Sequence, residues 1–350
     1  MNQFSSEKIL QHLESVLEWQ KTGMSRPVTY ELDMTNICNS KCPFCFGFLS
    51  RETDTASLKL DEVKDLIKQI KEYGGKGLTF TGGGEPLMNS FTIDAVKYAR
   101  ELGLDIGFIS NGLLLNEEKA EVLVDSCTWI RISIDAGRQE TYKLTHGLEG
   151  TSFENAINNT KLLVEKKRNK GSKVTLGTGF LTFPDVSADM TAFVQISKDI
   201  GVDYAQFRPL LRKFGQNEIN AGPDKEIIES IEKCKMMETK SFKVLCSTHK
   251  YNSMSNGIVK RHYDVCHGHH FTTVIAANRK MYLCCHMRGF EKYCIGDLSK
   301  YTLKELWESE RRKKVYNNID FKDCPLLCRC DGLNTVLWKM CQENEHKNFL

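Results

Sequence analysis

Short runs of β-branched and aromatic residues alternate with longer amphipathic segments between residues 28 and 210. The longer segments have helical periodicity, as in Leu60, Val63, Leu66, Ile67 and Ile70, and again in Phe153, Ala156, Ile157, Leu163 and Val164. Such alternation is typical of repeated βα units and a parallel sheet. We predict six strands: Val28–Met34, Gly77–Thr81, Asp105–Ser110, Trp129–Asp135, Val174–Leu181 and Asp203–Arg208.

Six parallel strands form either an open doubly wound sheet or a curved partial barrel. Both arrangements place functional residues on loops that follow the carboxyl ends of the strands. Before the first strand, Ile9, Leu10, Leu13, Val16 and Leu17 predict one amphipathic helix that packs on the barrel. After the sixth strand, Phe214–Asp224 has the composition of a linker. The predicted units are therefore residues 1–27, 28–213 and a cysteine-rich α+β region at 214–350.

The composition describes a globular protein with a sizeable core. The 350 residues are 41% hydrophobic and contain no long apolar run, which excludes disorder, collagen-like repeats and a membrane span. A net charge of +3 gives no general reason for binding nucleic acid or an anionic membrane. Because the first twenty residues lack the pattern of a signal peptide, we expect a cytoplasmic location.

The sequence contains fourteen cysteines, and in a reducing compartment this number indicates metal or redox chemistry. Cys38, Cys42 and Cys45 form a CxxxCxxC motif directly after the first predicted strand. Three thiolates can hold three irons of a [4Fe-4S] cluster and leave the fourth iron open to a small molecule. A thioredoxin-like pair, Cys42 and Cys45, would leave Cys38 unexplained, and a zinc knuckle would lack a nearby fourth ligand.

The motif, with Phe44 before its last cysteine, resembles that of the radical S-adenosylmethionine (radical SAM) superfamily. This resemblance implies a partial (β/α)6 TIM-type barrel and a cluster, held by Cys38, Cys42 and Cys45, whose open iron binds SAM. It further implies reductive cleavage of SAM to a 5′-deoxyadenosyl radical, which takes a hydrogen atom from the substrate.

Segments after later strands match the same family in order. Gly83, Gly84, Glu85 and Pro86 resemble its GGEP motif, and an exposed Glu85 carboxylate can pair with the SAM ammonium group. Their alternative role is an ordinary tight turn. The resemblance also implies SAM contacts for Ser110, Asn111, Ser133 and Asp135, whose alternative is a strand end with a helix cap. Ala136 stands where related sequences commonly have glycine. Arg208 is expected to meet a carboxylate of SAM or substrate, or to form a structural ion pair.

The C-terminal cysteines surround a predicted hairpin. Cys266 precedes the apolar run Phe271–Ala277, and a turn at Asn278–Lys280 leads to Met281–Leu283 and then Cys284. After a predicted helix at Leu303–Lys314 come Cys324, Cys328 and Cys330. This order resembles the SPASM/twitch extension, which holds one or two auxiliary [4Fe-4S] clusters, although Asn278 stands where that family often has glycine. The resemblance implies Cys266, Cys284 and two of the last three cysteines as ligands.

Two alternatives remain for this region. A second auxiliary cluster would recruit Cys285, Cys294 or Cys341, and we expect one cluster rather than two. Structural zinc is the other alternative, with His267, His269 and His270 as extra ligands. We expect these histidines at the surface or against substrate instead. Cys127, Cys234 and Cys246 stand alone and are expected to be core residues.

These patterns predict a radical SAM enzyme of the oxidoreductase or lyase type. Because only 27 residues precede the first strand, we expect a small polar substrate: a sugar, aminocyclitol, nucleotide or amino acid. Peptide maturation is one alternative, and a non-catalytic electron-transfer protein is another. Reduction of the cluster implies an electron donor such as flavodoxin or ferredoxin. For proton transfer to or from substrate, Tyr204, Gln206 and Arg208 are the first candidates.

Overall fold

The computed structural model describes residues 5–45, 54–210, 225–255, 261–325 and 327–349, with 344 and 347 excepted. The predicted linker at 214–224 lies outside these residues. Ten strands form one sheet. Their bounds are β1 Thr29–Asp33, β2 Gly77–Thr81, β3 Asp105–Ser110, β4 Trp129–Ser133, β5 Thr175–Thr182, β6 Tyr204–Pro209, β7 Lys243–Cys246, β8 Thr272–Ile275, β9 Lys280–Tyr282 and β10 Cys294–Asp297.

The strand order decides between the two predicted architectures. Strands β1 to β7 lie side by side in chain order and all pair in parallel. A doubly wound sheet reverses its order at a switch point, whereas sequential order with right-handed crossovers keeps the helices on one face. The chain is therefore a mixed α/β protein with the sequential parallel strands of a partial TIM-type barrel. The described residues add β7 as a parallel strand that the sequence analysis missed.

Twelve α-helices lie within the described residues. They are α1 Leu13–Thr22, α2 Leu60–Glu72, α3 Thr92–Glu101, α4 Glu117–Ser126, α5 Gln139–His146, α6 Ser152–Lys170, α7 Met190–Ile200, α8 Lys225–Lys235, α9 Thr248–Ser255, α10 Leu303–Glu308, α11 Glu310–Asn317 and α12 Asp331–Cys341. The predicted faces are buried where the periodicity was strongest, as at Val63, Leu66, Ile67 and Ile70 of α2. The core lies between these helices and the outward face of the sheet.

Each strand presents alternate residues to the helices and to the inside of the barrel. On β6, Phe207 packs against Phe193 of α7 and Phe180 of β5, with ring centroids 5.9 and 5.7 Å apart. Residues 204, 206 and 208 of that strand therefore face inward. Ile130 and Ile132 of β4 are buried among the outward residues, which places Arg131 between them on the inner face.

The predicted hairpin continues the barrel sheet. Strand β8 pairs in parallel with β1 on the edge opposite β7, and β9 and β10 follow in antiparallel pairing. Because β8 joins the barrel's first strand directly, the cysteines around the hairpin are attached to the strand that leads into the CxxxCxxC loop. The turn residue with a left-handed backbone is Arg279, at φ +62°, one position after Asn278.

Two predicted elements differ from the structure. The helix predicted at Leu303–Lys314 is two helices, because Ser309 adopts an extended backbone and its side chain caps α11 by accepting from the Arg312 amide. The N-terminal helix begins with a 3₁₀ segment, Ser6–His12. Across this segment and α1, Leu10, Leu13 and Leu17 are about half exposed. The buried residues of the two elements, Ile9, Val16 and Trp19, pack on Phe271 and Leu337.

A buried ion-pair network joins the C-terminal region to the inside of β1. Arg288 Nε lies 2.6 Å from Asp33 Oδ2, and Arg288 Nη2 lies 3.2 Å from Glu31 Oε2. Arg329 pairs with the other oxygen of Glu31. Burial raises the pKa of Asp33 to about 6, although Arg288 and the Gly83 amide oppose this shift. Arg288 therefore compensates the negative charge of two buried carboxylates, Asp33 and Glu31.

We predict that Arg288→Met destabilises the protein by about 3–5 kcal/mol at pH 8, since it leaves buried carboxylates uncompensated. A folded-state pKa above the ordinary value means that the folded protein binds the proton more tightly. The loss should therefore shrink as the pH falls to 6, and Asp33→Asn in the same variant should recover part of it. Urea unfolding of the anaerobically reconstituted protein measures both effects.

The matched control is Arg311→Met, which removes an exposed pair with Glu291 and should cost under about 1 kcal/mol. An Arg288→Met variant as stable as this control at pH 8 would show that the network does not hold the C-terminal region to β1.

Candidate functional site

The CxxxCxxC loop follows β1, and backbone hydrogen bonds join it to two neighbouring segments. The Gly84 amide donates to Thr35 O at 2.8 Å, and the Glu85 amide donates to Ile37 O at 3.0 Å. At the other end of the loop, the Lys41 amide donates to His146 O at 2.8 Å. The turn after β2 and the end of α5 therefore fix the backbone that carries Cys38, Cys42 and Cys45.

Position 84 has no space for a side chain and therefore requires glycine. A Cβ atom there would lie 2.0 Å from Ile37 O and 2.6 Å from Ile37 C, which are backbone atoms of the cysteine loop. The close approach that glycine permits is thus made to the cysteine loop itself. Pro86 then begins a short 3₁₀ turn, Pro86–Met88, in which Glu85 accepts from the Leu87 amide.

Glu85 is buried, with 3% of its surface exposed, so the prediction of an exposed carboxylate is wrong. Its Oε1 accepts from Ser110 Oγ at 2.8 Å, and its Oε2 accepts from the Asn111 amide at 2.8 Å. Burial raises the pKa of Glu85, and these hydrogen bonds oppose the rise. The Glu85 carboxylate therefore links the turn after β2 to the turn after β3 through hydrogen bonds.

Asn111 continues the connection back to the cysteine loop. Its Nδ2 donates to Asn39 Oδ1 at 2.7 Å and to Ser40 Oγ at 3.1 Å. The Ser40 amide in turn lies 3.4 Å from Cys38 Sγ, as a hydrogen-bond donor to that sulfur. Ser110, Asn111 and Glu85, each chosen from the sequence, thus form one hydrogen-bonded unit with the loop.

Ser133 and Asp135 lie at the end of β4, which stops at Ser133 rather than at Asp135 as predicted. Asp135 has a left-handed backbone, with φ +46°, and its Oδ1 accepts from the Leu181 amide at 2.6 Å. The alternation that would place the two side chains on one strand face therefore ends at Ser133. Asp135 is instead held to β5 by its own carboxylate.

Two further predicted residues lie elsewhere around the mouth of the barrel. Phe44 packs on Phe183, which follows β5, with ring centroids 4.7 Å apart. Arg208 lies on the inner face of β6 and makes no ion pair with a carboxylate among the described residues. The predicted structural ion pair of Arg208 is therefore not present in this part of the chain.

Sequence reasoning missed His146 at the site. The imidazole stacks on Tyr142 with a centroid distance of 4.1 Å and contacts the Ser133 carbonyl, while its backbone holds Lys41. Burial lowers the pKa of His146, so the ring is neutral at physiological pH. A lone histidine at the end of an amphipathic helix gives no sequence signal, because its position depends on how α5 folds back onto the loop.

The C-terminal cysteines form a second sulfur-rich group. Cys284 is close enough to Cys285, Cys330, Cys266 and Cys328 for each to raise its pKa electrostatically, in addition to burial. Cys324 is affected in the same way by Cys266 and Cys330. All five predicted ligands are therefore brought together. Cys285, which the sequence analysis reserved for a second cluster, belongs to the same group.

Among the described residues, no three cysteine, histidine or acidic side chains are grouped closely enough to hold one metal ion, so these neighbouring thiols are a candidate ligand set for an iron-sulfur cluster. Buried thiols that raise one another's pKa are poorly ionised by themselves, and cationic metal reverses that penalty. Asn334 Nδ2 donates to Cys266 Sγ at 3.5 Å, and the Gly268 and His269 amides also bond to this sulfur. Hydrogen bonds of this kind tune the potential of a bound cluster. Two elements supply the donors: the turn at Gly268–His270 and α12.

The neighbouring histidines are directed elsewhere. His269 and His270 are buried, so the expectation of a surface location is wrong for both. Their Nδ1 atoms lie 3.3 and 3.4 Å from Arg312 Nη2, and His267 packs on Trp19. Cys127 and Cys234 are buried core residues as predicted, and Cys294 is buried against Ala276 and Tyr282.

Comparison with known proteins agrees with this geometry. The family model of the radical SAM superfamily matches residues 32–192, and the model of the SPASM iron-sulfur cluster-binding domain matches residues 266–331. The chain thus contains a region that matches the radical SAM family model and a C-terminal region that matches the SPASM domain model. These two domains imply a [4Fe-4S] cluster that binds SAM, SAM itself, and auxiliary clusters.

Individual relatives differ in what they act on. The chain is 23% identical to the AdoMet-dependent heme synthase of Methanosarcina barkeri over 82% of its own length and 83% of that protein. It is 26% identical to the S-adenosylmethionine-dependent nucleotide dehydratase of Flammeovirga pacifica over 46% and 56% of the two lengths. Streptococcus suis SuiB, solved with its precursor peptide SuiA, has the same fold, with a TM-score of 0.69 at 16% identity, covering 93% and 76% of the two chains.

In the part of the chain that the structure describes, no helix has the length and apolar character needed to cross a membrane.

We predict that Gly84→Ala reduces the iron content by about four atoms per chain, because the added Cβ displaces the cysteine loop. The measurement is iron and acid-labile sulfide after anaerobic reconstitution. Gly77→Ala is the control, since its Cβ would meet nothing closer than 3.5 Å. Full iron content in Gly84→Ala would refute the role of this close approach.

Proposed function

We propose that this protein is a radical SAM enzyme in which Cys38, Cys42 and Cys45 hold the SAM-binding [4Fe-4S] cluster. The observation that carries the proposal is the hydrogen bonding of the loop to the turns at Gly84–Glu85 and Ser110–Asn111. Three thiols on a rigid loop leave one iron open for a ligand. When bound, the cluster and SAM supply a 5′-deoxyadenosyl radical that abstracts a hydrogen atom from substrate.

Residues of the chain bind and orient the [4Fe-4S] cluster and SAM. We assign the backbone of Gly83 and Gly84 to the SAM amino end, where no side chain obstructs an approach. Glu85 acts as a positioning residue, because both of its oxygens are occupied by Ser110, Asn111 and Leu87. Ser133 and Asp135 at the end of β4 and Phe44 beside the last loop cysteine complete the proposed SAM contacts. Their shared position at the carboxyl ends of the strands supports this assignment.

We assign an auxiliary [4Fe-4S] cluster to Cys266, Cys284 and two of Cys324, Cys328 and Cys330. The mutual influence of these thiols on their pKa values supports one group of ligands. Cys266 precedes β8 and Cys284 follows β9, and β8 pairs with β1, which supports a cluster next to the barrel. Its proposed role is to bind substrate or to accept an electron from it.

A small polar substrate is the proposed class, and the reaction is an oxidation, elimination, decarboxylation or bond formation. Polar side chains at the inner face of β4 and β6, among them Arg131 and Gln206, support this class. The SuiB–SuiA complex favours peptide modification as the second candidate. The proposal also includes a cytoplasmic location and a reductant such as flavodoxin or ferredoxin, with no nucleic acid or membrane partner.

We expect Cys42→Ala to abolish formation of 5′-deoxyadenosine from SAM under reducing, anaerobic conditions, since the cluster loses one of three protein ligands. Liquid chromatography of the quenched reaction measures the product. Cys127→Ala is the matched control, because Cys127 is buried in the core and should leave SAM cleavage intact. Cleavage by Cys42→Ala at the control's rate would exclude this loop as the site. Absence of 5′-deoxyadenosine from the reduced, unmodified protein would instead favour a non-catalytic electron carrier.

We also expect Cys284→Ala to lower the iron content from about eight to about four atoms per chain while SAM binding persists. Cys294→Ala should keep all of its iron, because Cys294 packs among core residues instead. Iron, zinc and sulfide are measured together. About twelve irons in the unmodified protein, or one zinc with about four irons, would contradict the single auxiliary cluster.

A further inference from the structure

Two arginines from different strands converge inside the barrel. Arg131 of β4 and Arg208 of β6 both reach over Gly179 of β5, the strand between them. A Cβ atom at Gly179 would lie 3.4 Å from Arg131 Cδ and 3.3 Å from Arg208 Nη2. Gln206 Oε1 accepts from Arg131 Nη1 at 2.6 Å, and Gln206 lies on the same strand as Arg208.

No carboxylate forms an ion pair with either guanidinium among the described residues. Arg131 is 8% exposed, and the Nε atoms of both arginines are buried without a hydrogen-bond partner. Asp135, the acid that acts electrostatically on Arg131, uses Oδ1 to accept from the Leu181 amide. Other neighbours are the Trp129 ring, 5.6 Å from Arg131 Cζ, and Tyr204.

Two adjacent arginines without a carboxylate partner lower the stability of the folded protein. Burial, and then Arg208, lower the pKa of Arg131 to about 10, so Arg131 is still charged at neutral pH. Buried charges are normally paired, and two adjacent like charges without a partner cost stability. An unpaired donor set of this kind is expected where a ligand supplies the missing acceptor.

The glycines of β5 leave space for the inward side chains of the neighbouring strands, which include both arginines. Gly177 and Gly179 occupy successive inward positions, where any side chain would project across the barrel. A Cβ at Gly177 would lie 2.1 Å from the Tyr204 ring. Since Gly179 pairs with Ser133 on one side and Gln206 on the other, the point at which the two arginines meet lies level with the end of β4.

We propose that Arg131, Arg208 and Gln206 form a subsite for a carboxylate or phosphate group of the substrate. The inference rests on the proposed function and narrows its substrate class to a small anionic molecule. Guanidinium groups bind both anions through paired N–H donors. We assign this subsite to substrate and remove Arg208 from the SAM contacts, and the measurement of SAM affinity described below tests that assignment.

Thermal unfolding of the reconstituted protein with SAM present tests the subsite without relying on turnover. Inorganic phosphate and acetate are the two probes, each titrated to saturation. We expect at least one to raise the midpoint by roughly 3–5 °C in the unmodified protein. The shift should disappear in Arg131→Gln and Arg208→Gln. It should persist in Arg100→Gln, which removes an exposed arginine from α3.

The response to each probe identifies the group, since phosphate alone indicates a phosphorylated substrate and acetate alone a carboxylate. Without either probe, the two glutamine variants should unfold within about 1 °C of the unmodified protein or above it, because they remove unpaired buried charge. A clearly lower midpoint would assign the arginines a structural role and overturn the proposal. So would an unmodified protein that responds to neither probe.

SAM affinity and SAM cleavage separate this inference from the proposed function. Arg131→Gln and Arg208→Gln should bind SAM within about threefold of the unmodified protein and still form 5′-deoxyadenosine. A tenfold loss of SAM affinity would assign the arginines to the SAM carboxylate and refute the substrate subsite. If the unmodified protein forms no 5′-deoxyadenosine, the proposed function fails, while the probe-dependent shift still reports whether the anion site exists.

Discussion

The hydrogen bonds that tie the CxxxCxxC loop to the turns after β2 and β3 are the constraint on which the site depends. The loop has little regular structure of its own, so its backbone groups must find partners in neighbouring segments. Gly84 lets the turn after β2 approach within bonding distance, and buried Glu85 then joins that turn to Ser110 and Asn111. Asn111 then donates hydrogen bonds to Asn39 and Ser40 of the loop, and these bonds hold the segment that carries the three thiols.

The C-terminal cysteine group depends on the same first strand. Strand β8 pairs with β1, and Arg288, close to Cys284 and Cys285 in the chain, pairs with Asp33 and Glu31 inside the barrel. Both sulfur-rich groups are therefore linked to one five-residue strand. By contrast, Arg131 and Arg208 lack such compensation. Local arrangements that oppose stability are expected where a protein binds its ligand.

The six strands and their helices could be predicted because each has a periodicity that local sequence displays, as at Ile106, Phe108 and Ser110 of β3. Strand β7 was missed because its four residues, Lys243–Cys246, are too few to show alternation, and it becomes a strand by pairing with β6. The break in the C-terminal helix at Ser309 was missed for a related reason. Helical periodicity continues across it, and only the capping hydrogen bond to Arg312 reveals the interruption.

The sequence by itself determined the chemistry available: three thiols at CxxxCxxC spacing, a glycine-rich turn, and cysteines on both sides of a hairpin. Spacing along the chain suffices for these features because the groups are local. Only the tertiary structure decided that Glu85 is buried between two turns and that the Asp135 carboxylate is hydrogen bonded to β5. It also decided that Cys285 lies near the other C-terminal thiols. It also brought Arg131 and Arg208 together, which lie 77 positions apart in the chain. Their proximity follows from sheet pairing, and no local pattern encodes which distant side chains share one face of a folded sheet.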